Sequence, residues 1–341
     1  DNWRLARRAL MRKPVDRIGY GGYLSLAYRF PEFINYIEQV TDEFREIYQR
    51  IGGSRPYCGL KVAILNCWGK LRSWQAFMVA HALWYKQTYS YFGILEALSG
   101  MAVDVVFISF DDIRKHGIDK DIDVILNAGA AGTAFSGGEE WLDETIVTAV
   151  RQFVYRGGGF VGVGEPSAIH FGGRYFQLAD IMGVDKELGF SLSTDKYFTE
   201  VKKDHFLGRE RREAFAFGES MGNIYALSDK TEIVEYSNHE IHLSAHAYGK
   251  GRGVYLAGLP FSDENTRLFL RCLYYSAGKE DKLTCWYADN PYCEVHAYPE
   301  QGNYAVVNNS CREQKTLVYD GNGKAEEITL RDGEIVWKTI S

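Results

Sequence analysis

The hydrophobic pattern changes period twice along the chain. Between residues 31 and 51, Phe33, Ile37, Val40, Phe44, Ile47 and Ile51 recur at spacings of three and four, which predicts a helix with one apolar stripe. Pro31 suits its first turn, and Gly52-Gly53 end it. Ahead of it the pattern reads as a first helix, then a short strand and loop around DRIGYGGYLSL (16–26). Two helices and one strand cannot bury such a stripe alone. Either the rest of the chain or a segment preceding it must supply the cover.

From 57 to 278 the pattern alternates. KVAILNCW (61–68), VDVVFISF (103–110), DVILNAG (123–129) and GGFVGVG (158–164) are apolar runs of strand length, as expected for strands covered on both faces. Helical patterns separate them, at roughly 74–99 and in EEWLDETIVTAVRQFVYRGG (139–158). This alternation predicts a parallel, doubly wound α/β sheet. TEIVEYS, HEIHLSAHAY and GRGVYLAGL then give three strands in succession, and ENTRLFLRCLYYSAG a closing helix. From 281 onward the period falls to two, with GN, DGNG and RDGE as turn signals, which predicts a small antiparallel β domain. The expected division is 1–54, 55–280 and 281–341.

Composition adds mostly exclusions. Apolar residues make up 46% and charged residues 25% of 341, with a net charge of −6. There is no block of five like charges, so neither a nucleic-acid stripe nor an acidic tail is expected. No apolar run reaches about 18 residues, so no transmembrane helix is expected. The six cysteines form no CxxC pair and read as free thiols of a reducing compartment. The chain opens DNWRLARRAL, without an initiator Met or a signal-peptide pattern, which raises the expectation that this is not a natural N-terminus.

RGGGFVGVGEPSAIHFGG (156–173) is the stretch that most resembles a reactive loop. As a dinucleotide fingerprint it fails, because Ser167 stands where the third glycine belongs and the glycines follow the fourth strand rather than the first. No Gly-Lys-Ser/Thr follows, so it is no P-loop. As a nucleophile elbow it places Gly164 or Glu165 at the apex, where Ser or Cys is needed. The loop after GRGVYLAGL supplies no histidine for a triad. This part of the chain resembles the class I glutamine amidotransferase-like fold with its active site erased, and a structural corner is the favoured reading. Glu165 and His170 still lie at the carboxyl end of a strand, where α/β ligand sites open.

Two further clusters merit placing. In HEIHLSAH (239–246), strand alternation would put His242, Ser244 and His246 on one face and His239 on the other; a polar strand face is the favoured reading over a zinc site, and no metal is expected. After the first strand, Cys67 reads as a buried bystander, while Trp68 and Arg72 lie in a loop of indoles and planar donors that suits a sugar or an interface. In the DRIGYGGYLSL loop, Arg17 offers a fork for phosphate or carboxylate, and Tyr20 and Tyr23 offer faces with hydroxyl tips.

Several segments together resemble one family: RRALMRKPVDRIGYGGYLSL, LNCWGKLRSWQAFMVAHALWYKQTYSYFGILEALSG, GVGEPSAIHFGGRYFQLADIMGV, LAGLPFSDENTRLFLRCLYYSAG, VVNNS and EIVW. They are similar to the β-galactoside phosphorylases that act on galacto-N-biose and lacto-N-biose, with their galactosyl-rhamnose relatives. The resemblance spans nearly the whole chain in order. It implies a cytoplasmic enzyme of about twice this length, built from a partial (β/α) barrel, an amidotransferase-like central domain and a small β domain. Such an enzyme cleaves a terminal β-galactosyl residue with inorganic phosphate as co-substrate and no cofactor, and releases α-galactose 1-phosphate with inversion. Phosphate takes the place of the base-activated water, and a protonated carboxyl donates to the leaving oxygen. In the family that acid lies on the barrel, upstream of Asp1, so this chain alone is expected to be inactive. Arg17 would then bind phosphate, and Tyr20 and Tyr23 galactose, with Trp68, Arg72, Glu165 and His170 lining a cleft. A homodimer is expected, because the aromatic loop at 68–74 needs cover. The alternative is a non-catalytic carbohydrate-binding or oligomerisation module. The acceptor, N-acetylhexosamine or rhamnose, stays open.

Overall fold

The computed structural model describes residues 2–13, 15–19, 21, 24–67, 86–189, 196, 200–209, 211 and 213–340. The chain falls into two compact units: residues 1–58 with 99–102 and 284–341, and residues 59–98 with 103–283.

The first unit opens with α1 (Asn2–Arg12), α2 (Leu24–Ala27) and α3 (Pro31–Ile51). α3 begins with Pro in its first turn and ends at Gly52, whose left-handed φ of 58° favours glycine. The short strand expected near residues 16–26 is replaced, among the described residues, by the single turn of α2. Gly19 and Gly21, within that stretch, interrupt any strand pattern.

The second unit contains β1 (Leu60–Asn66), α4 (Lys86–Ser99), β2 (Val103–Ser109), α5 (Phe110–His116), β3 (Val124–Gly129), α6 (Glu144–Tyr155) and β4 (Gly159–Gly164). It continues through β5 (Ala168–Phe171), β6 (Arg174–Phe176), α7 (Ala179–Met182), β7 (Val184–Lys186), β8 (Ile224–Ala226), β9 (Glu232–Ser237), β10 (Glu240–Tyr248), β11 (Gly251–Leu256) and α8 (Asp263–Ser276). Its main sheet has the order β2-β1-β3-β4-β11-β10-β9. Strands β2, β1, β3, β4 and β11 run parallel, as the apolar runs predict. Every residue of β3 and β4 is buried, which is why these strands read as continuous hydrophobic stretches.

The edge departs from a purely parallel sheet. β10 runs antiparallel to both β11 and β9. The cause is local: Asn238 and His239, with φ of 52° and 61°, make a two-residue hairpin turn, and Gly249 at φ 62° begins the tight return into β11. His239 therefore sits in a turn rather than on a strand face.

The first unit is completed by β12 (Tyr287–Ala288), β13 (Cys293–Tyr298), β14 (Asn303–Asn308), β15 (Gln314–Tyr319), β16 (Ala325–Leu330) and β17 (Ile335–Thr339). They form two antiparallel three-stranded sheets, β12-β15-β16 and β13-β14-β17. One core of this unit joins Leu10, Met11, Ile47 and Ile51 to Tyr298, Ala305 and Val307. The C-terminal end of the α3 stripe is thus covered by the small β domain. Polar contacts fix α1 to the same strands: the Tyr298 hydroxyl donates to the Met11 carbonyl at 2.7 Å, and the fully buried Arg7 donates to the carbonyls of Gly333 and Asn308.

Candidate functional site

Of the polar residues singled out in the sequence, Glu165 and His170 lie in the second unit, and Arg17 lies on a loop of the first unit beside a groove that Asp16 and Ile18 line. In the second unit, the β1/β3 boundary is where strand order reverses, so ligand crevices are expected at the carboxyl ends of these strands. β4 ends in Gly164 at φ 77°, and the chain then turns into the β5–β6 hairpin, not into a helix as at a nucleophile elbow. Gly172 and Gly173, at φ 62° and 77°, form the hairpin's two-residue turn.

A buried polar network holds this corner. The Asn127 side chain accepts from the Ser167 N–H at 2.8 Å and donates to the Ser136 carbonyl at 3.1 Å. The Ser136 hydroxyl donates to the Glu165 carbonyl at 2.7 Å. Ser167, fully buried at φ 51°, accepts through its hydroxyl from the Leu178 N–H. Ser167 is consumed by this bracing, which fits the reading of the glycine-rich stretch as a structural corner.

Glu165 is buried, and its carboxylate takes three donors: Lys186 Nζ at 2.5 Å, the Tyr175 hydroxyl at 3.0 Å and the Ala131 N–H at 2.8 Å. Burial raises its pKa, but Lys186, the Ala131 amide and Tyr175 outweigh that and hold the carboxyl below its ordinary value. A general acid needs the opposite shift, so Glu165 stays ionised and is unsuited to donate a proton at neutral pH. Burial and the Glu165 charge push the Tyr175 phenol up. Lys186, Tyr175 and His170 line a 390 Å³ cavity together with Arg174, Asp185 and Tyr225. Structure brings Glu165 and His170 to one region, as the sequence suggests, but through Lys186 and Tyr175. Sequence reading does not single out either of them, since they lie on separate strands; the Gly172-Gly173 pair is the local signal of the hairpin that carries Tyr175 toward Glu165.

The first unit carries a larger groove of 930 Å³, lined by Phe33, Tyr36, Ile37 and Val40 of α3 and by Asp16, Ile18, Gly19 and Gly21 of the loop. Arg17 is exposed on that loop. Asp16 is the one carboxylate among the described lining residues. Tyr20, Tyr23, Trp68 and Arg72 lie outside the described residues.

The histidines of β10 do not converge. A bulge between Ile241 and Leu243 interrupts the alternation. His242 stacks on Phe217 at 5.0 Å with Nε2 3.2 Å from the Ser237 carbonyl, whereas His246 lies beside Gly183. Among the described residues no group of three or more His, Cys, Asp or Glu could hold a metal ion. Cys67 is buried, with Sγ 3.8 Å from the Gly137 carbonyl. No helix among the described residues is long and apolar enough to cross a membrane.

The second unit is a parallel-dominated α/β sheet and the first ends in small antiparallel sheets, a fold that hosts many functions, so the family is taken from comparison with known proteins. The lacto-N-biose phosphorylase central domain matches residues 61–281, the N-terminal TIM barrel domain matches 1–59 and the C-terminal domain matches 286–338. The chain belongs to the lacto-N-biose phosphorylase family. It is 50% identical over 340 residues to a 1,3-β-galactosyl-N-acetylhexosamine phosphorylase of Lachnoclostridium phytofermentans, covering 99% of this chain and 47% of the relative. It is 48% identical to the enzyme of that name from Bifidobacterium longum, covering 99% and 49%. A D-galactosyl-β-1→4-L-rhamnose phosphorylase of L. phytofermentans is 36% identical, covering 93% and 43%. The chain spans about half the length of the curated relatives it matches. Among solved structures, a cold-adapted β-galactosidase from Rahnella sp. R3 shares the fold at a TM-score of 0.52 and 17% identity, over 88% of this chain and 44% of that one.

Proposed function

We infer that this chain is part of an enzyme that cleaves terminal β-galactosides with inorganic phosphate, giving galactose 1-phosphate and the freed sugar. The observation that carries the reading is the ordered match of three lacto-N-biose phosphorylase domains across the chain. The substrates named for the relatives, galactosyl-N-acetylhexosamine and galactosyl-rhamnose, set the two acceptor classes. The reaction inverts: phosphate attacks the anomeric carbon opposite the leaving oxygen, while a carboxyl protonates that oxygen.

On this reading the central domain is an amidotransferase-like scaffold without its nucleophile. Gly164 at the end of β4, the ionised Glu165 and the buried Ser167, whose hydroxyl accepts from the Leu178 N–H, support it. The general acid is contributed from outside this chain, and the 341 residues alone are inactive. Arg17 binds phosphate, and Tyr20 and Tyr23 contact galactose; what supports this is their place on the loop whose Asp16, Ile18, Gly19 and Gly21 line the groove. The protein works in the cytoplasm, in keeping with its free cysteines.

The test is phosphorolysis of galactosyl-β1,3-N-acetylglucosamine and galactosyl-β1,4-rhamnose, read as galactose 1-phosphate, on this chain beside the complete product of its gene. The reading expects product from the complete protein alone. Product from the 341-residue chain would place the acid within it. No product from either favours the binding-module alternative.

A further inference from the structure

The small β domain contains a cavity of its own, of 330 Å³, with Trp286 and Tyr304 on its wall and the β15–β16 turn at its mouth. Three features set it apart from an ordinary surface dimple.

The first is Trp286 itself, whose φ is 54°. A bulky side chain in the left-handed region costs on the order of 1–3 kcal/mol and persists only where its surroundings hold it. Here its N–H donates to the Asp320 carbonyl, and Gly321 lies flat against the indole: a Cβ there would stand 2.8 Å from Cε2 and Cζ2 and 2.9 Å from Nε1. The backbone and a glycine are both committed to presenting this ring.

The second is unspent hydrogen-bonding capacity. The Trp286 and Tyr304 rings pack at 5.0 Å and are only 8% and 7% exposed. Buried Trp and Tyr normally place their N–H and O–H on a partner. Neither group donates to any described residue, and neither atom is sealed from solvent. Both donors are therefore available to an occupant of the cavity.

The third is a preformed mouth of balanced charge. Asp320 Oδ1 accepts from the N–H groups of Asn322 and Lys324 at 2.8 and 2.9 Å, which fixes the turn before anything binds. Lys338 pairs with Glu326 at 2.6 Å. Two carboxylates and two ammonium groups cancel, so the lining selects neither anion nor cation. It offers donors and acceptors side by side, with Val318 and Ile340 as apolar wall. The volume sits at the small end of the roughly 300–1,000 Å³ range of ligand pockets.

We propose that this cavity binds one neutral sugar unit, with the Trp286 indole N–H and the Tyr304 hydroxyl donating to its oxygens and Asn322 and Lys324 closing over its edge. The site is independent of the phosphorolysis reading, since it needs neither phosphate nor a general acid.

The experiment is a titration of the full chain labelled with ¹⁵N at its seven tryptophan indoles. The Trp286→Phe variant identifies the Trp286 resonance; if that variant does not fold, Lys324→Ala, altered on an exposed turn, identifies it by its shift. Galactose or N-acetylglucosamine is expected to move this resonance saturably at millimolar concentration. Asn322→Ala is expected to weaken that binding by about threefold to tenfold, the worth of one hydrogen bond. Equal binding of the matching disaccharide would identify the occupant as the terminal unit of a longer glycan, and its exclusion would identify a free monosaccharide. A resonance that does not saturate, that responds equally to glycerol, or that is indifferent to Asn322→Ala overturns the proposal.

Discussion

The two ends of α3 carry the same apolar stripe and meet different fates. At its C-terminal end Ile47 and Ile51 are buried against Tyr298, Ala305 and Val307. Toward its N-terminus Phe33, Ile37 and Val40 line an open groove. Nothing in the periodicity separates the two halves. The difference teaches that periodicity marks an apolar face without saying what covers it: the small β domain covers one half only. The groove half lies in the segment matched by the TIM barrel domain.

The covered end should be where stability resides. The largest effect is expected beside it, where Glu294 of β13 meets Arg8 of α1 at 2.6 Å and His296 at 3.2 Å. Glu294→Ala leaves Arg8 and a fully buried His296 without their acceptor, and should lower the unfolding free energy by about 3–5 kcal/mol in urea titration. Next comes Ile47→Ala, expected to cost about 2–5 kcal/mol by the same measurement, as for other fully buried aliphatics.

Acid should reach the same cluster. Burial raises the Glu294 carboxyl, but Arg8 and His296 outweigh it and bring it down to about 2 from an ordinary 4.5. Burial holds His296 below its ordinary 6.5 in spite of Glu294. Both folded values lie below the unfolded ones, so the unfolded chain takes up the protons first as pH falls. Stability is therefore full above about 6.5 and declines below it, with the Glu294 share lost between 4.5 and about 2, at about 1.4 kcal/mol per unit where that group alone governs. Glu294→Gln should flatten the acid limb; an unchanged limb would remove this cluster from the account. The smallest effect is expected at the open end: Ile37 is only half-buried along the groove, and Ile37→Ala should cost about 1 kcal/mol or less in the isolated chain. A loss as large as that of Ile47→Ala would erase the contrast between the two halves.

Legibility followed the range of the interactions. The strands around 61–66, 124–129 and 159–164 stood out because burial on both faces writes itself into consecutive apolar residues, whereas the equally apolar 103–109 run is the edge strand and is mostly half-buried. The three successive strands TEIVEYS, HEIHLSAHAY and GRGVYLAGL are legible with their breaks, but the antiparallel direction of β10 is not, because it is set by two short turns, one of them at Asn238-His239. The α2 turn was read as strand for want of any clear period in a glycine-rich stretch. At the candidate site, Glu165 and His170 were visible from their place after an apolar run. Lys186 and Tyr175 were not, since an ion pair across 21 residues leaves no local pattern. The left-handed backbone of Trp286 was equally invisible, because no residue type announces a strain imposed by its neighbours.

The central claim is the proposed phosphorolysis of a β-galactoside. Its most direct test is the proton NMR spectrum of the products formed by the complete protein from galactosyl-β1,3-N-acetylglucosamine and phosphate, since a sugar 1-phosphate does not mutarotate and keeps the anomer in which it was formed. The account predicts the anomeric signal of α-galactose 1-phosphate. Free galactose would mean that water, not phosphate, is the nucleophile, and the β anomer would mean a double displacement; either would contradict it.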